Sequence, residues 1–290
     1  MLRRLALALS LVSAPVWADP SAALNGSVSW RGGPDGLGSF SGLHVSSDGQ
    51  RFWAVSDKGV WASGQIERRD GALVGISEIT HGPLLGLNGR PVEGRDVDAE
   101  GLTRTADGRF HVSFEDNHRL WLYGDLGAAP TPHPAHPDRT RLQRNSALEA
   151  LARAPNGALY TMPERSGTLE RPFPVTKLED GVWSPAFEIP RRPPFLLVGA
   201  EFDHVGRLYV LERAVSPPFG FAVQVRRFEL GPSGVTREQV VVSRKLGPQG
   251  NWEGLSLWRD ETGRDRMVIV SDNNGHGFLA TTLTEYILPP

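Results

Sequence analysis

The sequence predicts an all-β chain folded as a single β-propeller of five four-stranded blades, six being the alternative, with the ring closed by the N-terminal strand. Three observations carry this reading. Short runs that alternate apolar with polar residues end at Asp-Gly, Asn-Gly or Gly turns, the signature of β-hairpins. These hairpins recur about every 50 residues, the length of a four-stranded blade. No helical period is sustained over ten or more residues once the first 18 are passed. The 33 glycines and 23 prolines among 290 residues supply the turns that such a fold needs.

Residues 1–18 read MLRRLALALSLVSAPVWA: a basic start at Arg3 and Arg4, an apolar run, and small residues at Val16 and Ala18. That is the pattern of a secretory signal peptide, too short to anchor in a bilayer. Cleavage after Ala18 leaves a single domain, residues 19–290, in the periplasm or outside the cell. GSVSW (Gly26 to Trp30) is a lone strand. The first repeat is FSGLHVSSDGQRFWAVSD (Phe40 to Asp57), followed by the strand-like runs WASGQIERRDG and ALVGISEI. The second is AEGLTRTADGRFHVSFED (Ala99 to Asp116). The segment from Gly127 to Arg141 is Pro-rich and reads as a surface loop, because proline cannot donate to a central ladder; His133 and His136 within it read as solvated. LEALARAPNGALYTMPER (Leu148 to Arg165) is the third repeat. VGAEFDHVGRLYVLER (Val198 to Arg213) is the fourth, with FAVQVRRFEL and VTREQVVVS after it. The fifth, Trp252 to Asn274, is followed by one strand only, TTLTEYIL (Thr281 to Leu288). Gly26–Trp30 is expected to complete that last blade. The segments between repeats are long enough to hold a degenerate sixth.

Composition excludes much. With no cysteine, disulfides, thiolate metal sites and cysteine nucleophiles are ruled out. A net charge of −2 gives no electrostatic case for nucleic acid or an anionic membrane surface. No stretch after the leader is apolar enough to span a membrane. GSFSG (Gly38 to Gly42) is spaced like a hydrolase elbow but carries Phe40 at the nucleophile position. Most tryptophans read as blade packing; Trp252, beside an acid, suits either packing or the mouth.

The carboxylates are the informative residues. The start of a blade's first strand and the end of its second lie at the same end of the sheet. The acids opening repeats (Asp98, Glu100, Glu149, Glu253) should therefore meet those ending second strands (Asp57, Glu115, Asp116, Glu164, Glu212, Asp272) at one mouth. Two carboxylates about 5 Å apart repel by roughly 3 kcal/mol at an effective dielectric near 20. Hard oxygen donors without cysteine select Ca²⁺ or Mg²⁺. We expect a divalent cation, Ca²⁺, on Asp57, Asp98, Glu100, Glu253 and Asp272. Glu149 and Glu164, side by side on one hairpin, are expected to act as general acid and base. Lys58, Glu115, Arg165, Glu212, Arg213 and Asn273 are expected to hold a small anionic, phosphorylated substrate. The competing reading makes the same acids blade-to-blade struts, copied into every repeat.

The strings FSGL…FWAVSDKG, DAEGL, NSALEALA…PER, YVLER and NWEGL…VSDNN, in this order, resemble the bacterial family called esterase-like activity of phytase (phytase-like domain). The resemblance covers about residues 37–288. It implies a secreted β-propeller with phosphoesterase or phosphodiesterase chemistry at Glu100, Glu115, Glu149, Glu164, Glu212, Glu253 and Asp272. Two positions depart from the pattern: Ser41 and Val198 stand where the other repeats carry an acid. Two alternatives are a non-catalytic propeller that binds a ligand or protein at its mouth, and a calcium-dependent lactonase using Asn145, Asn251 and Asn273.

Overall fold

The computed structural model of the chain describes residues 22–30, 38–140, 142, 148–215, 220–247, 251–272 and 281–290. The expectations for residues 1–18, Asn145 and Asn273 lie outside these described residues. The first strand, β1, is Ala23–Trp30. Blade one follows with β2 (Phe40–Val45), β3 (Arg51–Ser56), β4 (Val60–Arg69) and β5 (Ala72–Pro83). Blade two has β6 (Ala99–Arg104), β7 (Phe110–Phe114), β8 (Arg119–Tyr123) and β9 (Thr131–Pro132). Blade three has β10 (Ala150–Arg153), β11 (Leu159–Met162), β12 (Phe173–Glu179) and β13 (Val182–Ile189). Blade four has β14 (Leu196–Phe202), β15 (Leu208–Val215), β16 (Phe221–Gly231) and β17 (Gly234–Gly247). The last sheet holds β18 (Trp252–Arg259), β19 (Asp265–Ser271) and β20 (Thr281–Ile287).

Each blade is one antiparallel meander, and the strand order of the fifth is β1-β20-β19-β18. The ring therefore has five blades, not six. Its closure matches the expectation from sequence: Gly26 lies opposite Glu285 and Trp30 opposite Thr281 in the β1–β20 register. The tight turns between first and second strands use glycine in the left-handed region, as at Gly49 (φ 71°) and Gly108 (φ 93°), which lets a short loop reverse the chain. Among the described residues no helix is long and apolar enough to cross a membrane.

The core is divided among the blade-to-blade interfaces. Trp30, Phe40, Phe52 and Trp258 fill the seam between blades one and five, and Trp30 stacks on Phe40 with centroids 5.0 Å apart. The seam between blades two and three has the smallest apolar cluster, Leu120, Leu151, Leu159 and Leu178. The Pro-rich segment covers it, and here the structure corrects the sequence reading. Thr131 and Pro132 form the outer strand of blade two, where a residue without an N–H is tolerated at an edge. His136 is buried against Trp183, whose indole N–H donates to the Pro134 carbonyl at 2.8 Å. His133 meets His111, ring nitrogens 2.9 Å apart. The two histidines are wedges in a thin seam rather than solvated loop residues.

Candidate active site at the propeller mouth

The inner strands β2, β6, β10, β14 and β18 line the central channel. The cavity between them is about 10 Å³, room for about one water, so a larger ligand could be bound only at the mouth. Four of the five inner strands are irregular at one equivalent place. The pairing register skips Ser41 in blade one, Glu100 with Gly101 in blade two, Val198 in blade four and Glu253 in blade five. A β-bulge re-aims the extra side chain, and here it turns one residue toward the axis in each of these four blades. In blade three the corresponding Glu149 immediately precedes β10. The residue after the bulge must be small. A Cβ on Gly101 would lie 2.5 Å from Leu151 Cβ, and one on Gly254 would lie 2.6 Å from the Ser41 carbonyl oxygen. This is the physical content of the repeated Glu-Gly-Leu string.

A second set of positions follows from the same register. Gly42 pairs with Val55, Gly199 with Leu211, Gly254 with Val270 and Ala150 with Met162. Two residues past each partner stand Asp57, Arg213, Asp272 and Glu164, with Glu115 in the corresponding place of blade two. The backbone fixes these positions: the Asp57, Glu115 and Asp272 amides donate to the Ser39, Asp98 and Asn251 carbonyls at 3.1, 2.9 and 2.8 Å.

Of the residues singled out from sequence, the mouth brings together Asp57, Asp98, Glu100, Glu115, Glu149, Glu164, Glu253 and Asp272, with Arg213 among them. One oxygen each from Asp98, Glu100 and Glu115 lies within 4.8 Å of the others. Burial and the neighbouring Glu149, Glu253, Asp98 and Glu115 push the Glu100 carboxyl well above its usual range. Burial, then Glu115, Glu164 and Glu253, do the same to Glu149, whose Oε2 is buried without a hydrogen-bond partner. Glu253 is pushed up to about 7, chiefly by burial, with Arg213 opposing the rise and Asp272 and Asp57 adding to it. Asp98 is also raised, first by burial.

Arg213 bridges three blades. Its Nη1 donates to Glu253 and, at 2.5 Å, to Asn251 Oδ1, and its Nη2 reaches Glu164 at 3.3 Å. Asn251 in turn donates to Asp272 at 3.0 Å. Lys58, 3.1 Å from Asp57, and Arg165, 3.1 Å from Glu164, stand more exposed on the rim.

Glu212 does not join them. Its carboxylate is fully buried inside blade four, where it accepts from Arg226 Nε and Gln224 Nε2, both at 2.7 Å. Sequence aligns the Glu-Arg pairs 164/165 and 212/213, but the structural register makes Arg213 the counterpart of Glu164. A one-residue slip in a strand flips the side chain to the other face. Asp116 accepts two bonds of 2.9 Å from Arg95 and lies near enough to Asp98 to help raise its carboxyl. Trp252 is core: it is 1% exposed and packs edge-on against Tyr286.

A family model described as phytase-like, esterase-like activity of phytase, matches residues 35–275. No protein of curated function matches in sequence. Among solved structures, the chain is similar to the PQQ-bound aldose sugar dehydrogenase of Streptomyces coelicolor, at 13% identity and a TM-score of 0.51, over 92% of this chain and 99% of that one. It is also similar to the calcium-binding protein regucalcin of Agrobacterium tumefaciens, at 10% identity and a TM-score of 0.49, over 86% and 90%. At these identities the likeness is one of fold alone.

Proposed function

The chain belongs to the phytase-like family (esterase-like activity of phytase), and from that premise we propose that it hydrolyses phosphate mono- or diesters at its acidic mouth with a divalent cation, calcium, as cofactor. The observation that carries the reading is the approach of Asp98, Glu100 and Glu115 to within 4.8 Å. Among the described residues no lysine or arginine forms an ion pair with Asp98 or Glu100. An all-oxygen donor set suits a hard cation, and the orphaned Oε2 of Glu149 supplies a further buried acceptor beside it. When bound, such a cation polarises a phosphoryl oxygen and makes a coordinated water more acidic.

The protein's own residues then have distinct tasks. Glu164, set between Arg165 and Arg213, accepts a proton from the attacking water as its oxygen bonds to phosphorus. Glu149, whose protonated form is favoured by burial and by Glu115, Glu164 and Glu253, gives its proton to the leaving oxygen as the phosphorus–oxygen ester bond breaks. Lys58 and Arg165 face the substrate's negative charge from the rim. The leader-like residues 1–18 put this activity in the periplasm or outside the cell.

The test is turnover of p-nitrophenyl phosphate, bis(p-nitrophenyl) phosphate and a panel of lactones, with calcium and with chelator. Calcium-dependent release from a phosphate ester supports the reading. Turnover confined to lactones replaces the substrate class, and inert protein on every compound leaves a binding propeller.

A further inference from the structure

We infer that Arg213 is a built-in second cation of the mouth, so that the site takes one divalent ion and not two. The inference rests on the proposed cation site and goes beyond it to the stoichiometry. The repeat places one residue per blade at the end of the second strand: Asp57, Glu115, Glu164 and Asp272 in four blades, and Arg213 in the fourth blade of the chain. Blade four also departs at the inner position, where Val198 stands in place of an acid. It therefore contributes no carboxylate to the mouth at either position.

Its guanidinium leans onto both neighbours instead, reaching Glu164 of blade three at 3.3 Å and Glu253 of blade five. The Nε of Arg213 is buried and has no acceptor, so a full set of hydrogen bonds does not account for its place. The carboxylates around it do. A tethered positive charge cannot be displaced or diluted, and it offsets one of the negative charges in this half of the mouth at every ion concentration. The other half, Asp98, Glu100 and Glu115, has one oxygen from each within 4.8 Å of the others, and among the described residues no lysine or arginine forms an ion pair with Asp98 or Glu100. One mobile divalent ion belongs there, and Arg213 holds the place of the other.

Calcium bound per chain is to be counted by equilibrium dialysis and elemental analysis for the full chain and for Arg213→Glu, which restores the acid that other blades carry. Arg213→Met and Arg213→Lys serve as neutral and charge-preserving variants. The expected result is one ion in the wild type and in Arg213→Lys, and two in Arg213→Glu. Should Arg213→Glu fail to fold, a second ion in Arg213→Met carries the same meaning. One ion in every folded variant overturns the inference and leaves the proposed cation site standing, as do two ions in the wild type. No ion in the wild type overturns both.

Discussion

Glu285 on β20 accepts both terminal nitrogens of Arg68 on β4, at 2.8 and 2.6 Å, across 217 residues of chain. Glu285 is fully buried, and Arg266, the Trp258 indole at 3.0 Å and Asn25 at 2.6 Å also converge on it. Asn25 lies on the closing strand β1, so one carboxylate ties the N-terminal strand and the first blade to the last. Removing one partner of a buried pair leaves an uncompensated charge and costs about 3–5 kcal/mol. Glu285→Ala should therefore lose stability on that scale in urea denaturation. An unchanged midpoint would mean that ring closure rests on the β1–β20 ladder alone.

Glu149→Gln and Glu164→Gln should each reduce phosphate-ester turnover at least about 100-fold, a typical contribution of a general acid or base. Both variants should fold, since glutamine keeps the size and hydrogen-bonding capacity of each side chain. Circular dichroism alongside turnover separates the roles. Variants that unfold yet keep activity per folded molecule would identify these acids as struts.

Glu201, in the inner strand of blade four, makes stability depend on pH. It accepts the Leu257 amide at 3.0 Å, and burial pushes its carboxyl up from 4.5 to about 8. Between those values the folded chain holds a proton that the unfolded chain has released. The stability from this group is thus full below pH 4.5 and is lost as pH rises through 8. In chelator, melting temperature should fall from pH 5 to pH 8.5, and Glu201→Gln, which keeps an acceptor for Leu257, should fall less. Parallel curves would remove Glu201 from the account.

Gly254→Ala should destabilise the ring by roughly 1–3 kcal/mol, the usual cost of overpacking. Its Cβ would stand 2.6 Å from the Ser41 carbonyl oxygen and 3.0 Å from the Leu43 amide, both backbone atoms unable to turn aside. Gly89→Ala, with nothing within 4 Å, is the control for general loss of glycine, although its φ of 72° carries some strain. Equal losses at the two positions would remove the channel contact as the cause.

The blade count and the closing strand were legible because turn glycines and alternation are local signals that repeat. The convergence of Glu100, Glu149 and Glu253 was legible for the same reason. The bulges that aim Glu100 and Glu253 are not, since a bulge leaves no turn signal; their trace is the glycine after each of these two acids, Gly101 and Gly254. Glu212 is not at the mouth although the two Glu-Arg pairs look equivalent in sequence, because the strand register shifts them by one residue. Pro132 reads as loop in the sequence because its tolerance at a sheet edge depends on tertiary position. Arg226, which neutralises Glu212, lies on a neighbouring strand and carries no motif.

The central claim is a cation among Asp98, Glu100 and Glu115, and anomalous scattering from a crystal grown with manganese in place of calcium tests it most directly. The expected result is one anomalous peak at the mouth, within about 2.6 Å of oxygens from all three carboxylates. A map with no peak there, from crystals grown at millimolar manganese, would contradict it.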